Sequence, residues 1–110
     1  NYQLAIQDGK SGTDANVPVE FTIGNPYPNP FNGIIQFSLY MMKESPVSIN
    51  VIDLSGKQIS RIYNGNLSIG NHNFSWQGKN ASGRSVSSGV YYIKVSGKST
   101  EEWRPVTFVK

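Results

Sequence analysis

Two runs of alternating apolar and polar residues, separated by a glycine-rich loop, limit most strongly the folds that this chain can adopt. The first run is His72–Trp76 and the second is Val90–Val95. Alternation with a period of two is typical of strands that bury one face. The loop between them contains Gly78, Gly83 and Gly89, where we expect positive φ or a close approach of the backbone. We predict that this apolar strand pair forms the middle of an antiparallel sandwich.

The same alternation recurs along the chain and predicts an all-β fold. Further strand candidates are Val19–Ile23, Ile35–Leu39, Val47–Val51, Ile59–Tyr63 and Trp103–Val109. No long segment keeps the apolar period of an amphipathic helix. About seven strands at this spacing are typical of an immunoglobulin-like antiparallel β-sandwich. Because the chain has 110 residues and no cysteine, we expect one domain that is held together by packing alone.

Turn and linker residues divide the chain between the strands. Residues 1–18 are polar and weakly patterned, so we expect a linker or the tail of a preceding domain there, and the sandwich in residues 19–110. Asp53-Leu54-Ser55-Gly56 is typical of a type I turn, and Asn64-Gly65 predicts another turn. Pro105 has no backbone donor, which favours either an edge position for the last strand or a later start of that strand.

The segment Asn25–Gly33 has prolines at three alternate positions. Proline removes a backbone donor and makes its preceding neighbour extended, so this segment is not a central strand. We interpret it as a rigid segment that crosses between the sheets, with Tyr27 and Phe31 anchored in the core. The alternative is a linear epitope that docks into the aromatic groove of a partner.

The residues that could carry chemistry do not form a catalytic set. His72, the one histidine, shares a strand face with aromatic residues. Asp53 is explained by its role in the predicted turn, where its side chain can accept hydrogen bonds from backbone N–H groups. Glu101 and Glu102 are adjacent in a strand and point to opposite faces, so they cannot flank one glycosidic bond. We therefore expect no enzyme activity, no cofactor and no metal site. The net charge is +3, but the basic residues are scattered, so we expect no nucleic-acid binding.

An alternative function is carbohydrate binding, in which sugar rings would stack on a platform of exposed aromatic side chains. The candidates are Trp76, Trp103, Tyr40, Tyr63 and Tyr92. Trp76 is expected in the core, and Tyr92 is the better exposed candidate because it lies opposite the apolar face of its strand. A carbohydrate-binding sandwich would need at least two aromatic side chains exposed in a row, whereas a structural spacer would need none.

Several co-linear motifs carry a resemblance to a known family. Tyr27-Pro28-Asn29-Pro30-Phe31-Asn32 resembles the signature that opens the C-terminal sorting domain, type A, of type IX (Por) secretion cargo. Further matching positions follow in the family's order: Asp53, Gly56, Trp76, Gly78, Gly83, Gly89, Val90 and Tyr91. The same core is similar to the immunoglobulin-like domain of the flagellar hook-capping protein. Gly33 and Gln77 depart from the family, which often has proline and aspartate there.

The resemblance implies a non-catalytic module that targets a cargo domain of the same parent chain for export. Its partners would be the outer-membrane type IX translocon and a sortase-like peptidase of a Bacteroidetes-type bacterium. The cargo would pass through the periplasm and be secreted or attached to the outer-membrane surface. We expect a monomer, and contact with a glycan or lipopolysaccharide stays open.

The last hairpin, Tyr91–Val95 with Val106–Val109, is the expected recognition surface for the translocon. The translocon-facing residues of its terminal strand are Val106, Phe108, Val109 and Lys110, which match the usual family ending of an apolar strand and a lysine. An edge strand has unpaired N–H and C=O groups that can pair with a strand of a partner. If the cargo is released by cleavage, we expect the cut in Ser11–Val19, where the backbone is exposed.

Overall fold

The computed structural model describes residues 19–110 and contains seven strands. They are β1 (Phe21–Ile23), β2 (Ile35–Met41), β3 (Ser45–Asp53), β4 (Gln58–Leu67), β5 (Gly70–Trp76), β6 (Gly89–Ser96) and β7 (Glu101–Phe108). The linker predicted for residues 1–18, with nearly all of the stretch in which a cut was expected, lies outside the described residues. Over residues 19–110 there is no helix long and apolar enough to cross a membrane.

The strands form two antiparallel sheets that pack face to face as an immunoglobulin-like sandwich. The three-stranded sheet has the order β1-β2-β5 and the four-stranded sheet the order β4-β3-β6-β7. The all-β prediction and the number of strands are confirmed. The last strand lies at an edge of its sheet, as Pro105 predicted.

The prediction that the two most regular runs pair with each other was wrong. β5 pairs with β2, and β6 lies between β3 and β7 in the other sheet. The apolar faces of β5 and β6 meet across the core instead, where the ring centroids of Trp76 and Tyr91 are 5.3 Å apart. Alternation identifies the buried face of a strand but does not specify its hydrogen-bonded neighbour.

The turn predicted at Asn64-Gly65 was also wrong, because β4 continues through both residues. Gly65 is paired with Val47 of β3, and the pairing extends to Leu67. The register of β4 against β3 shifts at two points, which is typical of β-bulges. Pairing with a long central strand therefore outweighs the local turn preference of the dipeptide.

The core lies between the two sheets and is built from their inward-facing side chains. Its most completely buried members are Phe21, Ile35, Phe37, Leu39, Met41, Ile49, Val51, Ile93, Val95 and Val106. Buried and exposed positions alternate without interruption along β2 from Ile35 to Met41. Trp76 is 2% exposed, as predicted for a core residue.

Candidate docking site at the terminal hairpin

The proline-rich segment joins the two sheets at one end of the sandwich. Tyr27 exchanges two backbone hydrogen bonds of 2.8 Å with Gln36 of β2. Four residues later, Phe31 forms a parallel bridge with Phe108 of β7. The Phe31 N–H donates to the Thr107 carbonyl at 2.9 Å, and its carbonyl accepts from the Val109 N–H at 2.8 Å. The prediction of a segment that crosses between the sheets is confirmed.

Asn29 closes the β7 edge with its side chain. Its amide nitrogen donates to the Pro105 carbonyl at 3.0 Å, and its amide oxygen accepts from the Thr107 N–H at 2.9 Å. A carboxamide combines a donor with an acceptor, so it can replace the peptide group of a neighbouring strand. Aspartate at this position would keep the acceptor and lose the donor.

These contacts contradict the expectation that the last strand offers open backbone groups to a partner. Beyond Pro105, which has no N–H, the edge groups of Thr107 and Val109 are bonded to the proline-rich segment. The carbonyl of Trp103 accepts from the Arg104 guanidinium at 3.1 Å. The edge from Pro105 to Val109 is therefore occupied within the domain, because the segment before β2 folds against it.

Phe31 anchors the segment in a cluster of aromatic rings. Its centroid lies 5.7 Å from that of Trp76 and 5.1 Å from that of Phe108. The Trp76 indole N–H donates to the Lys79 carbonyl at 2.8 Å. Gly78 has a φ of 71°, and a Cβ there would lie 2.7 Å from the Phe108 ring, so only glycine fits. Three positions of the matching motif, Phe31, Trp76 and Gly78, thus meet at one end of the core.

The two aromatic residues predicted as anchors have different roles. Phe31 is 3% exposed, which confirms that prediction, whereas Tyr27 is 61% exposed and does not enter the core. Tyr27 is paired with Gln36, whose side chain points to solvent, so its own side chain lies on the same outer face. The anchor prediction for Tyr27 was therefore wrong.

Two turns with the same pattern, Asx-x-Ser-Gly-Lys/Arg, lie beside this cluster. Asp53 Oδ1 accepts hydrogen bonds of 2.7–2.9 Å from the Ser55 hydroxyl, the Ser55 N–H and the Lys57 N–H. The Ser55 hydroxyl, followed by the Lys57 N–H, holds the pKa of the Asp53 carboxyl below its ordinary value of 3.8. The predicted turn at Asp53 is confirmed.

The second turn begins at Asn80 and repeats this geometry. Its Oδ1 accepts from the Ser82 N–H, the Ser82 hydroxyl and the Arg84 N–H at 2.9–3.0 Å. Gly56 and Gly83 occupy the same position in the two turns and both have positive φ. Both turns border a surface depression of about 520 Å³ that also includes Tyr91. Asp53, Gly56 and Gly83 therefore have structural roles in turns.

A buried carboxylate that the sequence analysis missed ties the beginning of the domain to the terminal hairpin. Glu20 is 1% exposed. Its carboxylate accepts hydrogen bonds of 3.0–3.2 Å from the backbone N–H groups of Lys98, Ser99 and Thr100, in the β6–β7 turn, and from the Ser45 hydroxyl. Burial raises the pKa of this carboxyl, but these hydrogen bonds outweigh burial and hold the pKa below its ordinary value of 4.5.

The outer face of the terminal hairpin carries an exposed patch, which we call the terminal patch: Tyr92, Lys94 and Trp103. The Tyr92 and Trp103 ring centroids are 6.0 Å apart, and the Lys94 ammonium lies 5.2 Å from the centre of the Trp103 ring. Trp103 is 42% exposed, and its indole N–H donates to Glu101 at 2.7 Å. Tyr92 lies on the outer face, as predicted. It is half-buried, however, so the prediction that it is the better exposed aromatic candidate was wrong, because Tyr40 and Trp103 are more exposed.

The other motif positions lie around the same end of the sandwich. Pro28, Pro30 and Asn32 line a depression of about 410 Å³ together with Val109 and Lys110. The Lys110 N–H donates to the Ser88 hydroxyl at 2.9 Å. Val90 points outward from β6, whereas Val106 and Phe108 are buried and cannot contact a partner directly. Of the predicted translocon-facing residues, only Val109 and Lys110 are exposed.

The described residues offer little for catalysis or metal binding. His72 is half-buried, and its Nε2 lies 2.9 Å from the Ser68 carbonyl. Residues 19–110 contain no group of three His, Cys, Asp or Glu side chains that could hold a metal ion.

The fold and the aromatic end of the core define an immunoglobulin-like domain. The family model of the FlgD Ig-like domain matches residues 29–101, which is more than half of the chain. The chain therefore belongs to the FlgD Ig-like domain family. No curated protein matches it.

Among solved structures, the chain is similar to part of dimeric latent PorU from Porphyromonas gingivalis. The TM-score is 0.65 at 14% sequence identity, and the match covers 88% of this chain and 10% of that chain. The chain thus spans about a tenth of the length of PorU, and the likeness shows the fold alone. A weaker similarity is to Pseudomonas fluorescens alkylpurine DNA glycosylase AlkC, with a TM-score of 0.49 and 12% identity. It covers 83% of this chain and 31% of that chain, and this TM-score is too low to support a conclusion.

Proposed function

We propose that this domain is a non-catalytic sorting domain, of type A, that targets a cargo domain of its parent chain for export by the type IX secretion system. Two findings support the proposal. The motifs that resemble the sorting family lie within an immunoglobulin-like domain of the FlgD family. The same fold occurs in PorU, a type IX secretion protein.

One observation carries the proposal: the signature Tyr27–Asn32 completes the terminal hairpin. Asn29 and Phe31 bond to the outer edge of β7, and Phe31 fills the aromatic end of the core. A signature that is needed to finish the hairpin is expected if an export machinery reads the hairpin as a folded surface.

The closed edge changes the expected mode of recognition. Strand addition to β7 would require the Asn29 and Phe31 hydrogen bonds to break and the buried Phe31 ring to leave the core. The terminal patch needs no such rearrangement, because Trp103 is already exposed and Lys94 lies beside it. Exposed tryptophan and tyrosine side chains are typical anchors of protein interfaces. We therefore propose that the translocon contacts the terminal patch.

The remaining partners follow from the proposed function. A sortase-like peptidase would act on the cargo after export, and the product would be secreted or held at the outer-membrane surface. The domain itself would act as a monomer and without a cofactor.

An export assay tests the proposal. The chain is fused behind a reporter with a periplasmic signal peptide and expressed in a host with a working type IX system. We expect the reporter outside the cells, and we expect Trp103→Ala with Lys94→Ala to retain it in the periplasm. Tyr40→Ala, which removes an exposed aromatic side chain from the other sheet, is the matched control and should leave export unchanged.

One outcome would contradict the sorting function, and another would reject only the recognition surface. Retention of the intact fusion in the periplasm, with the domain folded, would favour the spacer alternative. Unchanged export of the terminal-patch variant, together with loss of export on deletion of residues 100–110, would retain the sorting function and reject the terminal patch as its recognition surface.

A further inference from the structure

The outer face of the three-stranded sheet has an unusual chemistry. None of the residues of β1, β2 and β5 is Asp, Glu, Lys or Arg. The outward positions, which we call the amide face, are Thr22, Gln36, Ser38, Tyr40, Asn71, Asn73 and Ser75. Solvent-exposed protein faces normally mix charges of both signs, and the outer face of the other sheet carries Arg61, Lys94 and Glu101. The absence of charge on the amide face therefore needs an explanation.

The strand register arranges the amide face in three rows. Thr22, Tyr40 and Asn71 form the first row, because each is paired with its neighbour across β1, β2 and β5. In the last row, Tyr27 is paired with Gln36, and Gln36 with Ser75. Tyrosine rings that are 48% and 61% exposed, at Tyr40 and Tyr27, thus stand at the two ends of the face.

In the middle row, two of the three positions have no side chain or a small, half-buried one. Ser38 is paired with Asn73, and the Gly24 N–H donates to the Ser38 carbonyl at 2.9 Å. Gly24 has no side chain, and Ser38 is half-buried. Rows lie about 7 Å apart because two residues separate them along a strand, so the rows that contain Tyr40 and Tyr27 are about 14 Å apart.

The chemistry of the amide face favours some classes of ligand over others. A nucleic acid or an anionic membrane surface requires Lys or Arg, which the amide face lacks. A protein interface usually has an apolar centre, whereas the centre of this face is glycine, serine and asparagine. Carboxamides and hydroxyls supply both donors and acceptors without charge, and exposed tyrosine rings supply flat apolar surface. That combination matches the hydroxyl groups and C–H faces of a sugar chain.

We propose that the amide face binds a neutral polysaccharide strand, which lies along β2 between Tyr40 and Tyr27. The amides of Asn71, Asn73 and Gln36 hydrogen-bond its hydroxyl groups, and the two tyrosine rings contact its sugar rings. The site is separate from the terminal patch, which lies on the opposite sheet, and the proposal does not depend on the proposed function.

Native affinity electrophoresis of the full chain tests this inference. The gels contain hydroxyethyl cellulose, laminarin, glycogen or yeast mannan as neutral probes and polygalacturonate as an acidic one. We expect at least one neutral probe to slow the protein, and we expect the effect to persist at 0.5 M salt because no charges are involved. Tyr40→Ala should weaken binding roughly tenfold, and Tyr40→Phe should retain most of it because the ring remains.

Two further variants complete the design. Asn73→Asp preserves shape but places a charge in the middle row, so it should also weaken binding several-fold. Trp103→Ala, on the opposite sheet, is the matched control and should bind as the unchanged chain does. Circular dichroism confirms that each variant is folded.

Three results would overturn the inference: no neutral probe slows the chain, only polygalacturonate slows it and salt abolishes the effect, or binding is lost in Trp103→Ala and kept in Tyr40→Ala. Because Tyr40→Ala is expected to leave export unchanged, failure of this inference and failure of the proposed sorting function are distinguishable.

Discussion

The two sheets of this sandwich differ in the hydrogen bonds that they make with the rest of the domain. In the four-stranded sheet, the edge of β7 is bonded to Asn29 and Phe31, and the β6–β7 turn holds the Glu20 carboxylate. In the three-stranded sheet, the side-chain hydrogen bonds of the amide face are local ones, from Asn71 to Asn73 and from Gln77 to Ser75. The comparison teaches that the motif residues serve to complete the terminal hairpin, whereas the amide face is available for a ligand.

Removal of the Phe31 ring is the strongest test of this difference. Phe31→Ala should lower the free energy of unfolding by about 3–5 kcal/mol, because it leaves a cavity among Trp76 and Phe108. Urea denaturation followed by tryptophan fluorescence measures the loss. Tyr27→Ala, in the same segment but exposed, should change stability by less than about 0.5 kcal/mol. Equal effects of the two variants would show that Phe31 does not anchor the hairpin.

The Glu20 carboxylate should be the next most important contact. Glu20→Ala should cost about 2–4 kcal/mol, because three N–H groups and the Ser45 hydroxyl lose their acceptor in a buried place. Denaturant unfolding measures the loss, with Glu101→Gln as an exposed control. A loss no larger than that of the control would mean that solvent satisfies the turn equally well.

The same contact predicts a pH dependence. The folded-state pKa of Glu20 is lowered, so its stabilising effect is complete above the unfolded-state value of about 4.5 and is lost as pH falls through the folded-state pKa. The stability difference between the unchanged chain and Glu20→Gln should therefore be constant near neutral pH and shrink below about pH 4.5. A difference that stays constant down to pH 2 would contradict the assigned ionised state.

Replacement of Asn29 tests the closed edge more gently. Asn29→Asp keeps the acceptor for the Thr107 N–H and loses the donor to the Pro105 carbonyl, which should cost about 1–2 kcal/mol. Amide hydrogen exchange of Val109 should accelerate as the segment loosens. Asn32→Asp, exposed in the same segment, is the control and should leave exchange unchanged. Unaltered protection of Val109 in Asn29→Asp would show that the Phe31 backbone alone closes the edge.

The smallest effect is expected on the amide face. Asn73→Lys should change the free energy of unfolding by less than about 0.5 kcal/mol, because its side chain is exposed and points away from the core. Thermal unfolding measures it, and Ser45→Lys, at a buried position on the other sheet, should be severely destabilising by comparison. A large loss in Asn73→Lys would mean that the uncharged face is required for folding, which would remove the need for a ligand to explain it.

Much of the fold could be predicted from local pattern, and much of the site could not. The strands, their buried faces and the turn at Asp53 follow from alternation and short-range hydrogen bonding. The sequence pattern did not indicate the structural role of Glu20, because a single acidic residue before a short strand is usually exposed to solvent. Its partners are backbone amides 78–80 residues away. The role of Asn29 was equally invisible, since its two partners lie in the last strand.

By itself, the sequence determined which residues face the core, because side chains in a strand alternate between faces whatever the strand pairs with. It also determined the two Asx turns, whose donors lie within four residues of the acceptor. Only the tertiary structure decided that β5 and β6 belong to different sheets, that Asn64-Gly65 lies within a strand, and that the β7 edge is closed. These features depend on contacts between residues far apart in the chain, and neither apolar periodicity nor turn preference contains the energy of such contacts.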